Sequence, residues 1–88
     1  MKDRRISLLE TLRKTKIVSV IRTHSDESLV PLMQALYRGG VRIIEITATS
    51  PHFEQRIAEI REAFADVPDC FVGAGTILTK DEVDLARN

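Results

Sequence analysis

Three short apolar runs, rich in β-branched residues, recur along this chain with a helical stretch after each, and that alternation limits the fold more than any other feature. The runs are KIVSVIR (Lys16 to Arg22), VRIIEITA (Val41 to Ala48) and CFVGAGTIL (Cys70 to Leu78), the last holding a strand and its exit turn. Each is too short and continuous for a helix and lacks the polar alternation of a strand with one wet face. Strands apolar on both faces belong to parallel sheets covered by helices, and a spacing of about 25 to 30 residues matches one strand, one helix and the return crossover. An α/β fold with a parallel sheet is predicted.

The intervening segments carry helical punctuation. MKDRRISLLETLRKTK places Ile6, Leu9 and Leu12 on one face of an opening surface helix; Glu10, Arg13 and Lys14 interrupt its apolar patch before it reaches the length of a signal segment. Ser25 offers an N-cap oxygen, Asp26 and Glu27 supply first-turn charge, and Leu29, Leu32, Met33, Leu36 and Tyr37 follow at helical spacing up to Gly39 and Gly40. Ser50 as N-cap and Pro51 at the first helical position introduce a helix with Phe53, Ile57, Ile60 and Phe64 on one face. After the Asp66 to Asp69 loop and the third strand, Thr79 and Glu82 have capping-box spacing.

With 13 basic and 13 acidic residues the chain has no net charge, so it lacks the electrostatic footprint of a nucleic-acid or anionic-membrane binder. No window approaches the roughly 18 uncharged apolar residues of a membrane span. Cys70 is the single cysteine, which excludes an internal disulfide and points to a reducing cytoplasm. It reads as a small buried hydrophobe. His24 and His52 lack partners at metal-ligand spacing and read as loop residues, so neither a metal nor another cofactor is expected.

Polar residues on such strands carry the information. By parity Val18, Val20 and Arg22 share a face in the first strand, Ile43, Glu45 and Thr47 in the second, and Val72, Ala74 and Thr76 in the third. The polar members lie at the carboxyl ends, where ligands bind in parallel α/β folds. Glu45, among Ile43, Ile44 and Ile46, is either a general acid/base or half of a structural ion pair with Arg22. In GAGT, Gly73 and Gly75 allow backbone N–H groups to approach an oxyanion and Thr76 adds a hydroxyl, although a tight strand-to-helix turn explains the same residues.

Taken in order, VSVIR, a helix ending RGGVR, IIEIT, SP opening a helix, and VGAGTILT resemble the amino-terminal part of the bacterial 2-keto-3-deoxy-6-phosphogluconate (KDPG) and 4-hydroxy-2-oxoglutarate (KHG) aldolase family. The most specific pieces are GGVRIIEIT and VGAGT at their mutual spacing. The resemblance implies a (β/α)8 TIM barrel, usually trimeric, that cleaves a keto acid into pyruvate and an aldehyde by class I, metal-free chemistry through a lysine Schiff base. It implies that Glu45 moves protons through a bound water and that Thr76, with the GAGT backbone of Gly73 and Gly75, holds the pyruvyl carboxylate. Many members carry an arginine four residues after that glutamate; here the position is Thr49, near Thr47, and Arg22 at the mouth of the first strand is a candidate replacement cation.

A short helix followed by three βα units makes residues 1–88 a partial barrel domain of about three units in eight, ending after the third. The family's Schiff-base lysine belongs to a sixth strand, beyond Asn88. Lys2 and Lys14 lie in the opening helix region, Lys16 begins the first strand at the opposite end of the sheet, and Lys80 starts the last helix; none matches. The expectation is an aldolase sequence inactive as an isolated chain. The alternatives are a small α/β assembly or ligand-binding module whose sheet edges pair with another chain, and part of a different phosphate-binding barrel.

Overall fold

The computed structural model describes residues 3–25 and 27–87. Seven elements follow in order: α1 (Arg4–Thr15), β1 (Ser19–Ile21), α2 (Val30–Arg38), β2 (Ile43–Thr47), α3 (Phe53–Ala63), β3 (Phe71–Gly75) and α4 (Lys80–Arg87). The three strands form one parallel sheet in the order β1-β2-β3. The expected α/β class and βα repetition are therefore present, as the amino-terminal units of a TIM barrel require. Lys2, Asp26 and Asn88 lie outside the described residues.

Leu29 and Met33 from α2, Ile44 and Ile46 from β2, Phe53, Ile57 and Ile60 from α3, and Cys70 form the buried cluster. It occupies the sheet face bearing Ile44 and Ile46. Register places Ser19, Ile44 and Val72 side by side, and likewise Ile21, Ile46 and Ala74. Val72 and Ala74 thus belong to the helix-covered face. The opposite face carries Val20, Glu45 and Gly73 in register, flanked by the pair Ile43 and Phe71 and the pair Thr47 and Gly75. Parity groups Val72 with Ala74 correctly, but the β3 residues sharing the Glu45 face are Phe71, Gly73 and Gly75.

Several element boundaries differ from expectation for local reasons. Lys16 is the left-handed C-cap of α1 (φ 58°), its N–H on the Leu12 carbonyl, so the first strand cannot begin there and starts at Ser19. Pro31 is admissible only in the first turn of a helix, which sets the start of α2 at Val30 and not near Ser25. The hydroxyls before it cap local turns: Ser25 accepts the Glu27 N–H (3.0 Å) and Ser28 the Val30 N–H (3.2 Å). Ser50 is not the cap of α3 either, nor is Pro51 its first residue; the left-handed His52 (φ 53°) holds the N-cap position. Gly39 and Gly40 end α2 as expected, Gly40 supplying the positive φ of 106°. The capping box of α4 forms as read, with Glu82 N–H on the Thr79 hydroxyl (3.1 Å) and Thr79 N–H on the Glu82 carboxylate (3.2 Å).

The opening helix packs differently from its apolar stripe. Ile6, Leu9 and Leu12 are exposed, while Ser7, Leu8, Thr11 and Thr15 are half-buried. Arg4 contributes to this placement: its guanidinium stacks 4.2 Å from the Phe71 ring centroid and donates to the Pro68 carbonyl (2.7 Å) and the Cys70 carbonyl (3.4 Å). The helix is thereby fastened to the amino end of β3.

A polar cluster joins α2 to the loops entering β2 and β3. Tyr37 donates its phenol proton to Asp69 (2.6 Å), Arg42 pairs with the same carboxylate (3.2 Å), and the Arg42 guanidinium lies 3.8 Å over the Tyr37 ring. The Asp69 hydrogen bond, then desolvation and the Asp69 charge, hold the phenol above its ordinary value of 10.0. The neutral phenol makes this bond, so its contribution is complete below the unfolded pKa and is lost as pH rises through the higher folded one. Tyr37 is the only tyrosine and there is no Trp, so its titration can be followed by ultraviolet absorbance. Phenolate should form above pH 10, and Asp69→Asn should bring the midpoint down; a wild-type midpoint at or below the ordinary value would contradict the contact. Burial likewise raises the Cys70 thiol, with the Asp69 charge adding to it, so this cysteine is a packed, unactivated thiol.

Candidate active site

The carboxyl ends of β1, β2 and β3 bring the sequence-selected residues to one mouth. Glu45 is half-buried on the sheet face opposite the helix-covered core. Its side chain leans toward the carboxyl end: a Cβ built on Gly75 would stand 3.0 Å from Oε2 and 3.7 Å from both Cβ and Cδ of Glu45. Gly75 thus leaves the space into which the carboxylate tilts. At Gly73 an added Cβ would meet nothing within 4 Å, so the face beside Glu45 is open there. A cleft of about 190 Å³ runs beneath, walled by Glu45, Gly73, Ile43, Phe71 and, from α1, Arg4 and Leu8. A larger cleft, about 340 Å³, lies on the helix-covered side against Ile60, Phe64, Cys70 and Val72, without Glu45.

Thr76 follows β3 with φ 55°, a left-handed conformation that a β-branched residue rarely adopts. Strain of this kind costs on the order of 1–3 kcal/mol and gathers at ligand clamps. The turn is fixed against β2 by the Ala48 N–H bonded to the Gly75 carbonyl (2.8 Å). Thr76 is exposed and directly follows the Thr47–Gly75 register pair, at the carboxyl end of the sheet.

Thr47 is 1% exposed and Thr49 exposed; their hydroxyls are 2.9 Å apart. Arg22 is exposed immediately after β1, one residue past the Ile21–Ile46 register pair. Among the described residues no ion pair joins Arg22 to Glu45; the pairs found are Arg5–Asp3, Arg42–Asp69 and Arg56–Glu59. The ion-pair reading of Glu45 is therefore set aside, and the carboxylate is left facing the open side of the sheet. His24 and His52 are both exposed. No helix among the described residues is long and apolar enough to cross a membrane.

Ser50 and Thr23 also belong to this mouth, although nothing local in the sequence marks them. Ser50 is buried, its hydroxyl 3.1 Å from that of Thr47, and it accepts the Thr23 N–H at 3.1 Å. A serine preceding a proline looks like a helix cap, and the 27 residues separating it from Thr23 give no local signal.

Residues 8–88 match the family model for KDPG and KHG aldolase. This chain belongs to that family. It is 35% identical over 82 residues to a 2-dehydro-3-deoxy-phosphogluconate aldolase of Treponema pallidum, covering 93% of this chain and 38% of that protein. The protein of the same name in Haemophilus influenzae is 37% identical over 81 residues (92% and 37%). The KHG/KDPG aldolase of Escherichia coli K12 is 35% identical over 83 residues (94% and 38%). The aldolase-family chain thus spans less than two-fifths of the length of these relatives, and its Glu45, Gly75 and Thr76 fall inside the matched segment.

Proposed function

We propose that these 88 residues are the first three βα units of a Schiff-base aldolase, a carbon–carbon lyase that cleaves 2-keto-3-deoxy-6-phosphogluconate or 4-hydroxy-2-oxoglutarate into pyruvate and an aldehyde. The observation that carries this reading is the Glu45 carboxylate tilted over Gly75 beside the strained Thr76 turn, at the ligand-binding end of the sheet, in a chain of this family. The Schiff-base lysine comes from a later strand, outside residues 1–88, and the isolated 88-residue chain is inactive. The enzyme works without a metal or organic cofactor, in the cytoplasm, as a trimer.

The chemistry assigns each group a task. An iminium between the lysine and the keto carbon accepts the electron pair released when the carbon–carbon bond breaks. The cleaved alcohol must lose its proton and the resulting enamine must gain one; Glu45 handles both through a bound water. The open space over Gly73 admits that water beside the carboxylate. Thr76 and the backbone of Gly73 and Gly75 receive the pyruvyl carboxylate, with exposed Thr49 on the adjoining wall and buried Thr47 supporting it from behind. Arg22 supplies the cation that Thr49 does not.

The direct test is pyruvate release from each of the two keto acids by the complete enzyme, which should exceed background for at least one; release from neither would refute the assignment. Gly75→Ala should lower turnover about tenfold by displacing the Glu45 carboxylate a few tenths of an ångström, with a smaller effect on pyruvate affinity. Unchanged turnover would show that the close approach of Gly75 is not needed. Arg22→Ala should weaken pyruvate binding, and an unaltered affinity would remove Arg22 from the carboxylate site.

A further inference from the structure

At the carboxyl end of β2 three hydroxyls form a connected group, with Thr47 within 2.9 Å of Thr49 and 3.1 Å of Ser50. Thr47 is 1% and Ser50 3% exposed, so both hydroxyls are withdrawn from water and depend on protein partners. A serine hydroxyl has one proton and two acceptor positions. Ser50 uses an acceptor position for the Thr23 N–H (3.1 Å) and its contact with Thr47 orients the remainder. Thr23 in turn accepts the Ser25 N–H with its hydroxyl (3.0 Å), which folds the loop after β1 back on itself. The line of contacts runs from the backbone next to Arg22, through two buried hydroxyls, to Thr49.

We propose that Ser50 is a positioning residue for the keto-acid carboxylate: its hydroxyl, held by Thr47, fixes the backbone at Thr23 and so keeps Arg22 at the mouth where the carboxylate arrives. This rests on the aldolase reading and on the role given there to Arg22. The β1 exit is otherwise exposed from Arg22 to Ser25 apart from half-buried Thr23, so its placement depends on such an anchor. Without it, Arg22 visits the binding position for only part of the time, and apparent affinity falls by that fraction. At its other end the group reaches Thr49 through Thr47.

The test uses the complete enzyme and pyruvate as probe, reading the pyruvate concentration that gives half-maximal inactivation by borohydride, together with turnover and melting temperature. Ser50→Ala should raise that concentration about five- to tenfold with turnover at saturation changed less, as expected when binding alone is weakened. Ser50→Thr, which keeps the hydroxyl, should stay within about twofold of wild type. In an Arg22→Ala background, Ser50→Ala should add no further increase, because the two act through the same contact. A purely structural serine would lower the melting temperature and leave the half-maximal concentration of the folded protein unchanged, which would overturn the proposal. If Arg22→Ala raises that concentration and Ser50→Ala does not, the positioning role alone fails; if neither does, the Arg22 role fails with it. Should Ser50→Ala not fold, Thr47→Val replaces it: the same increase, smaller in size, is expected, and no increase overturns the proposal.

Discussion

Glu45→Gln in the complete aldolase is expected to lower turnover by about 10²- to 10⁴-fold, the usual contribution of a positioned proton-transfer group. The amide nearly matches the carboxylate in shape, so it fills the same space over Gly75 and leaves the strand pairing with Val20 and Gly73 intact. It cannot take up the alcohol proton or return one to the enamine carbon. Pyruvate affinity should change little, because the carboxylate contacts are assigned to Thr76, the GAGT backbone and Arg22. Measuring turnover and half-maximal pyruvate on the same preparation separates the two effects. If the Glu45→Gln variant stays within about tenfold of wild type, Glu45 is excluded as the acid/base, since loss of a general acid or base costs at least about 10²-fold.

The second large effect concerns the packing that holds this mouth in place. Ile44 is fully buried on the central strand between β1 and β3, within the cluster that includes Met33 and Ile60. Ile44→Ala removes apolar contact from both neighbouring helices and leaves a cavity that a close-packed centre fills only in part, so unfolding free energy should fall by about 2–5 kcal/mol. Domains of this size hold only about 0.05–0.15 kcal/mol per residue, so such a loss is a large share of the total. Val20 provides the control: it lies on the other face and is 61% exposed, so Val20→Ala should change stability by about 0.5 kcal/mol or less. Urea unfolding of the two variants of the isolated 88-residue chain, in which Val20 faces solvent, measures the difference. Equal effects at both positions would contradict the assignment of the core to the Ile44 face.

Much of this architecture is legible because uninterrupted apolar runs in a chain this short have few places to go. The three strands, their parallel arrangement and the faces of α2 and α3 follow from runs such as IIEIT and from the spacing of Phe53, Ile57 and Ile60. Several of the departures arise from hydroxyls and registers, which are decided in three dimensions. Ser25 and Ser50 have the sequence context of helix caps, yet one closes a local turn and the other bonds a backbone N–H across the sheet. The face shared by Glu45 in β3 depends on register, and its members there are Phe71 and two glycines, of which the glycines carry no side-chain pattern. The stripe of Ile6, Leu9 and Leu12 stays exposed, while the contact that fastens the helix is the stack of Arg4 on Phe71. Glu45 itself is conspicuous because a charge within an isoleucine run is costly unless it has a task or a partner.

The central claim is that these residues supply the proton-transfer and carboxylate-binding side of a Schiff-base site whose lysine lies on a later strand. Borohydride reduction in the presence of pyruvate, followed by peptide mapping of the complete enzyme and intact-mass measurement of the 88-residue chain, tests it most directly. The prediction is one pyruvyl adduct in the complete enzyme, on a lysine outside residues 1–88, and none on the isolated chain. An adduct on Lys2, Lys14, Lys16 or Lys80, or no adduct on the complete enzyme, would contradict it.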